Sequence, residues 1–249
     1  MISIQNLTKI YNPGRENEVT ALDEVSLEIR KNEFVVIIGS NGSGKTTLLN
    51  MIQGAERPTS GSITIQGIDV TSLPDYKRSR WIARVFQNPN QGTAPDLTIL
   101  DNFRLAALRT QPKTLKIGTT ATFKKKVRDK IATLGMGLEN KTSQFMGNLS
   151  GGQRQALTLL MSVMDETEIL LLDEPTAALD PRSSALILNL AENLQKELGI
   201  TTLLITHNLK DAHHYGNRLL QFREGKIRHD VPAGEKARLS MQDIFRWFE

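Results

Sequence analysis

The 249-residue sequence predicts an α/β fold: a largely parallel sheet with packed helices, a small antiparallel part and a helical insertion. Three observations carry this expectation. Short unbroken apolar runs at residues 34–38, 169–172 and 202–205 read as strands buried on both faces. A helical pattern lies between the last two, which is the spacing of a parallel crossover unit. Residues 101–164 lack β-branched strand runs and read as helical, so the α/β core is interrupted rather than followed by a second domain.

Each element has a local reason. The first buried run ends in Gly39 and is followed by Leu48, Leu49 and Ile52 at helical spacing. Residues 62–66 alternate Ser, Ile, Thr, Ile, Gln, the period of a half-buried antiparallel strand. Asp180-Pro181 reads as an N-cap with Pro at the first helical position, and Gly199 stops the helix. Leu186, Leu190, Leu194 and Leu198, four residues apart, are expected to share its buried face. Leu219-Leu220-Gln221-Phe222, a turn at 223–226 and Ile227 suggest a late hairpin. Met241, Ile244, Phe245, Trp247 and Phe248 form a short amphipathic stretch. With Asp243 and Glu249 in it, this reads as a docking helix rather than a membrane anchor. The expected arrangement is one domain over 1–249, with its core at 1–87 and 165–249 and a helical subdomain at 88–164.

Composition narrows the function. With 39% hydrophobic and 23% charged residues the chain is ordinary for a globular protein, which excludes wholesale disorder. A net charge of +4 does not argue for nucleic acid. The absence of Cys excludes disulfide scaffolds, Cys-ligated zinc or iron–sulfur centres and a Cys nucleophile. Residues 1–14 show no secretory h-region, and no stretch approaches the roughly 20 apolar residues of a membrane span. Residues 104–130 hold nine Lys/Arg and one acid, Asp129. This is either a solvated face or a contact for anionic lipid or an acidic partner. Phe103 and Phe123 are too few for a single-strand nucleic-acid surface.

Gly39-Ser40-Asn41-Gly42-Ser43-Gly44-Lys45-Thr46 matches G-x-x-x-x-G-K-[ST] between a strand and a helix, the context that makes the pattern a phosphate site. Glycines let successive backbone N–H groups turn inward, and the helix N-terminus adds partial positive charge. Lys45 is expected at the β- and γ-phosphates, Thr46 on Mg²⁺ and Thr47 at the α-phosphate. Asp173 ends a buried strand, where open α/β sheets place ligands, and is expected to hold Mg²⁺ through water. Glu174 follows and can polarise an attacking water. His207, ending the strand near 202–206, is expected at the γ-phosphate. His213, His214 and His229 read as surface residues. Leu149-Ser150-Gly151-Gly152-Gln153, ahead of a helix expected at 154–164, is a second anion site without a phosphate loop of its own. Another subunit must supply its nucleotide.

In order, Tyr11, the phosphate loop, Gln87, the 149–153 element, Asp173-Glu174, Leu179-Asp180 and His207 resemble the ABC-type ATPases over nearly the whole chain. The resemblance implies a P-loop NTPase (RecA-like) core with an antiparallel β subdomain and a helical insertion, using ATP and Mg²⁺. It implies that Tyr11 stacks on adenine and that Gln87 contacts Mg²⁺ or the attacking water. Ser150, Gly151, Gly152 and Gln153 would close on the γ-phosphate of the opposite subunit, and Asp180 would couple the two sites. The implied partners are a second nucleotide-binding subunit, in a homodimer, and a transmembrane permease that the dimer drives. The chain would then be peripheral on the cytoplasmic face of the inner membrane, with no nucleic-acid partner.

The nearer resemblance is to stand-alone ATP-binding subunits of bacterial binding-protein-dependent importers. It includes a group with one permease, an extracytoplasmic lipoprotein-type binding protein and substrates that include aromatic amino acids. Phe86-Gln87-Asn88-Pro89, Gly92-Thr93-Ala94-Pro95, Gly137-Leu138-Glu139-Asn140, residues 149–161 and Tyr215-Gly216-Asn217-Arg218-Leu219 carry it. Pro175 stands where such subunits often have His. Residues 92–102 are the expected permease-contact surface. The alternative is a soluble ABC ATPase of the iron–sulfur assembly type, which assembles or remodels a protein complex and shares the core motifs.

Overall fold

The computed structural model describes residues 1–110 and 118–248. Lys113 and Lys116 of the basic segment, and Glu249, lie outside them. The chain opens with an antiparallel pair, β1 (Ile2–Tyr11) and β2 (Val19–Ile29). Strand β3 (Phe34–Gly39) then runs through the glycine-rich loop into α1 (Lys45–Gln53). After β4 (Ser60–Ile65), β5 (Ile68–Asp69) and the single turn α2 (Asp75–Arg78) comes β6 (Ile82–Val85). Three helices follow: α3 (Ile99–Ala106), α4 (Ala121–Ala132) and α5 (Gly151–Ser162). The chain returns through β7 (Ile169–Asp173), α6 (Pro181–Leu198), β8 (Thr201–Ile205) and α7 (Leu209–His214). The hairpin β9 (Arg218–Arg223) and β10 (Lys226–Val231) and two short helices, α8 (Ala233–Lys236) and α9 (Met241–Arg246), complete it.

Strands β1, β2, β4 and β5 form an antiparallel sheet in the order β2-β1-β4-β5. The other sheet runs β10-β9-β3-β8-β7-β6, parallel except at β10. The alternation of β3 explains why its run is wholly apolar. Phe34, Val36 and Ile38 pack with residues of the helical insertion such as Phe103, Ile131 and Leu157. Val35 and Ile37 pack on the opposite side with Leu48 and Ile52 of α1 and Ile2 and Ile63 of the antiparallel sheet. A strand between two apolar layers has no solvent face on which to place a polar residue.

Three expectations need correction. On α6 the buried positions are Ile187, Leu188, Ala191, Leu194 and Gln195, while Leu186 and Leu190 are half-buried and Leu198 is exposed. A four-residue step advances about 40° past a full turn, so four such leucines drift off one face. Helix α5 begins at Gly151 rather than 154 and ends at Ser162, so the glycine pair forms its first turn. The C-terminal stretch docks through Ile244 and Trp247, with the indole stacked on His229 (ring centroids 4.4 Å apart), but Phe245 and Phe248 are exposed. His213, His214 and His229 are exposed, as expected. No described helix is long and apolar enough to cross a membrane.

Candidate active site

The glycine-rich loop is fixed from both sides by backbone. Gly39 has φ 153°, and a Cβ there would stand 2.3 Å from the Phe222 carbonyl oxygen of β9. Gly44, the N-cap of α1 at φ 100°, would place one 2.3 Å from the Ala21 carbonyl of β2. Only glycine satisfies both the positive φ and the close approach. The Gly225 N–H closes the arrangement by donating to the Ser43 carbonyl at 3.1 Å. Lys45, the first residue of α1, is buried. Its ammonium donates to the Gly39 and Ser40 carbonyls, both at 2.9 Å, and to Ser43 Oγ at 3.4 Å. Burial pushes its pKa down, while the nearby Glu174 and Asp173 carboxylates push it back up.

Over this loop lies an open cleft of about 370 Å³. Tyr11, Asn41, Gly42, Ser43, Gly44, Lys45, Thr46, Thr47 and Glu174 line it, with Val19 and Ala21. The Tyr11 hydroxyl donates to Glu56 at 2.6 Å, and the Lys9 ammonium lies 5.0 Å from the centre of the Tyr11 ring.

The candidate acid–base residues converge from three separate segments. Glu174, just past β7, has φ 46°, a left-handed backbone that non-glycine residues seldom adopt. Its N–H is held by the Ile205 carbonyl of β8 at 3.1 Å. Its Oε2 lies 3.2 Å from His207 Nδ1 and accepts from Gln87 Nε2 at 3.4 Å. Asp173, one residue earlier, accepts from the Thr46 hydroxyl at 3.3 Å. Its other oxygen is paired with Arg84 at 2.5 Å.

Ser150, Gly151, Gly152, Gln153 and Asp180 are brought together with one another, and none of them lines the cleft. Ser150 caps α5 in a reciprocal box with Gln153, so its hydroxyl accepts from the Gln153 N–H rather than standing open. Asp180 caps α6 through the Arg182 and Ser183 N–H groups and accepts from Ser183 Oγ at 2.6 Å. That Ser183 bond is the main cause of its lowered pKa. Gly152 packs against the same Ser183, so one serine joins both elements.

The 92–102 segment divides. Gly92 borders a cavity of about 360 Å³ lined also by Arg84, Leu105, Ala106, Arg109 and Met161. Ile99 and Asn102 instead turn inward, and the Asn102 amide bonds both the N–H and the carbonyl of Ala94. Sequence reasoning missed Arg84, Glu56 and Gln155, whose buried amide donates to the Phe86 carbonyl at 3.0 Å and holds the Gln87 segment. For Arg84 and Gln155 the available signal was a polar residue at a position where strand or helix periodicity calls for an apolar one, and Glu56, in the loop after α1, carried no such signal.

Comparison with known proteins identifies the family. The family model described as ABC transporter matches residues 22–177. The chain is 41% identical over 257 aligned positions to the tyrosine transport ATP-binding protein of Clostridioides difficile (strain R20291), covering 100% of this chain and 99% of that one. It is 34% identical to the methionine import ATP-binding protein MetN of Haemophilus influenzae (strain 86-028NP), over 94% of this chain and 66% of that relative's length. The dimeric post-hydrolysis state of the ATP-binding cassette MJ0796, bound to ADP and Pi, superposes with a TM-score of 0.80 at 30% identity. That match covers 94% of this chain and 99% of that one. The match to the family extends from β2 past the Asp173-Glu174 pair and continues end to end in the first of these relatives. The chain therefore belongs to the ABC transporter family, as one of its ATP-binding, ATP-hydrolysing subunits.

Proposed function

We propose that the chain powers a bacterial binding-protein-dependent importer from the cytoplasmic face of the inner membrane, as a homodimer docked on a permease. The observation that carries the chemistry is the convergence of Gln87 and His207 on Glu174 at the edge of the phosphate-loop cleft. Glu174 acts as the base that orients and deprotonates the attacking water. His207, with Nδ1 turned to Glu174, leaves Nε2 for the γ-phosphate. Lys45 and the loop N–H groups hold the phosphates, and Thr47 takes the α-phosphate. With Lys9 against its ring, Tyr11 offers its other face to adenine.

A Mg²⁺ ion fits the donor set. The Thr46 hydroxyl and the Asp173 carboxylate are hard oxygen donors 3.3 Å apart, and the Gln87 amide, which reaches Glu174 next to Asp173 in the chain, is the proposed third ligand. The ion supplies charge neutralisation at the phosphates. The chain's own groups position the water, the base and the leaving phosphate.

Ser150, Gly151, Gly152, Gln153 and Asp180 lie outside the cleft, so they reach a nucleotide only on a second copy. The dimeric form of the ADP-bound relative supports that reading. ATP binding favours the closed dimer, hydrolysis releases it, and the permease follows. Residues around Gly92 and the adjoining cavity are the proposed permease contact. The proposed cargo class is an aromatic amino acid delivered by an extracytoplasmic binding protein, supported by the relative named for tyrosine transport.

The test is affinity purification of tagged Glu174→Gln from detergent-solubilised membranes with ATP, with partners identified by mass spectrometry. A co-purifying polytopic permease is expected. Soluble partners alone would overturn the importer reading in favour of complex assembly.

A further inference from the structure

Arg84 occupies a place the fold gives to apolar residues. It sits on β6 opposite Leu171 of β7, and successive residues of this strand alternate between the two cores. Ile82 faces the α1 side and Ala83 and Val85 the other, so Arg84 is directed under α1. Its side chain is 6% exposed. A guanidinium this deep needs a partner for its charge, and that partner is Asp173.

Both terminal nitrogens of the guanidinium are held, while its buried Nε has no partner. Nη2 donates to Asp173 Oδ2 at 2.5 Å. Nη1 donates to Asn50 Oδ1 and Gln53 Oε1 of α1, each at 2.7 Å. Its Cζ lies 4.8 Å from the centre of the ring of Phe86, the residue before Gln87. The rigid fork therefore fixes one carboxylate oxygen and leaves Oδ1, beside the Thr46 hydroxyl, as the one turned to the phosphate loop.

The hydrogen bonds continue beyond α1. Asn50 Nδ2 donates to Glu56 Oε1 at 2.7 Å, and Glu56 Oε2 accepts from the Tyr11 hydroxyl at 2.6 Å. One chain of polar contacts thus runs Tyr11, Glu56, Asn50, Arg84, Asp173. Its two ends are the aromatic ring in the cleft and the carboxylate beside Thr46.

We propose that Arg84 is a positioning residue that presets Asp173 to offer a single oxygen to the metal, and that Asn50 and Glu56 extend this hold to Tyr11. The proposal rests on the reading of Asp173 as the metal-side carboxylate.

The test measures ADP affinity by calorimetry in EDTA and again in excess Mg²⁺, taking the ratio as the metal-linked tightening. Electron paramagnetic resonance of Mn²⁺ with ADP reports the coordination directly. Arg84→Met keeps the packing on Phe86 and removes the donors. Its affinity in EDTA is expected within twofold of the parent, with the metal-linked tightening reduced at least fivefold and the Mn²⁺ spectrum broadened. Arg84→Lys, a point charge without the fork, is expected to fall between. Asn50→Ala, which leaves the Arg84–Asp173 pair in place, is expected to lose about twofold. It carries the test if Arg84→Met does not fold. Tyr11→Phe is expected to reduce the tightening in the parent and not in the Asn50→Ala background, since the chain is already cut there.

A parent-like ratio in Arg84→Met, or in Asn50→Ala should the former not fold, overturns the proposal when Asp173→Asn has lost the tightening. A parent-like ratio in Asp173→Asn removes the metal reading of Asp173 and the proposal with it.

Discussion

Replacing Gly152 by Ala tests whether the second glycine-rich element is held against α6 as described. The added Cβ would stand 2.7 Å from Ser183 Oγ and 3.0 Å from Ser183 Cβ, both inside normal contact. Ser183 cannot swing aside without giving up its 2.6 Å bond to Asp180. Relief therefore requires α5 and α6 to separate by several tenths of an ångström. Overpacking of this kind costs about 1–3 kcal/mol, and the helix preference of Ala over Gly returns up to about 1 kcal/mol. The net expectation is a loss of up to about 3 kcal/mol, or roughly up to 12 °C in melting temperature for a chain of this size. The assay is urea unfolding of Gly152→Ala, Ser183→Gly and the double variant. Removing the Ser183 side chain opens the space, so in that background Gly152→Ala is expected to become neutral or stabilising. The change of sign is the diagnostic, because the lost Asp180 contact is common to both arms of the cycle. A Gly152→Ala effect that is the same with and without Ser183 would refute the packing argument.

Two further outcomes follow from the same geometry. Tyr11→Ala is expected to weaken ADP binding by the worth of one base stack, about 1–3 kcal/mol, or roughly 5- to 150-fold, whereas Tyr11→Phe in EDTA should bind like the parent. Unchanged calorimetric affinity in Tyr11→Ala would remove the adenine assignment. Lys236 is buried, its ammonium bonded to the Tyr215 and Gly216 carbonyls, and burial pushes its pKa down to about 8 against the opposing pull of Glu192. Below pH 8 both folded and unfolded chains carry the proton, and the full cost of burying the charge is present. Between about pH 8 and 10.5 the folded chain releases it first, so this group makes stability rise with pH by up to about 3 kcal/mol. In Lys236→Met that rise should disappear from urea midpoints, and an identical pH profile in parent and variant would count against it.

Much of the site could be read from the sequence because its parts are local. The phosphate loop needs glycines where backbone approaches backbone, and Gly39 and Gly44 stand there, flanked by a strand and a helix that are each legible from periodicity. Asp173, Glu174 and His207 are legible for the same reason, since each stands within two residues of the last apolar residue of a buried strand. The Glu174–His207–Gln87 meeting and the Arg84 chain are not, because they depend on which strands neighbour one another. The order β8-β7-β6 sets Arg84 beside Asp173, although 89 residues separate them. Helix boundaries were the other loss. Gly151 and Gly152 have low helix propensity, yet the Ser150–Gln153 box and the fit of Gly152 against Ser183 override it and start α5 three residues early.

The central claim is that ATP is bound between two copies of the chain and hydrolysed with Glu174 as base. Light scattering of Glu174→Gln on a sizing column, with and without ATP, tests it most directly when run beside an ATPase assay. The substitution preserves shape, leaves Lys45 and Thr46 in place, and removes the carboxylate proposed as the base. The account predicts a mass that doubles from 27.8 kDa only when ATP is present, with turnover lowered by about 10²- to 10⁴-fold. A persistent monomer at high protein and ATP concentration, or turnover close to that of the parent, would contradict it.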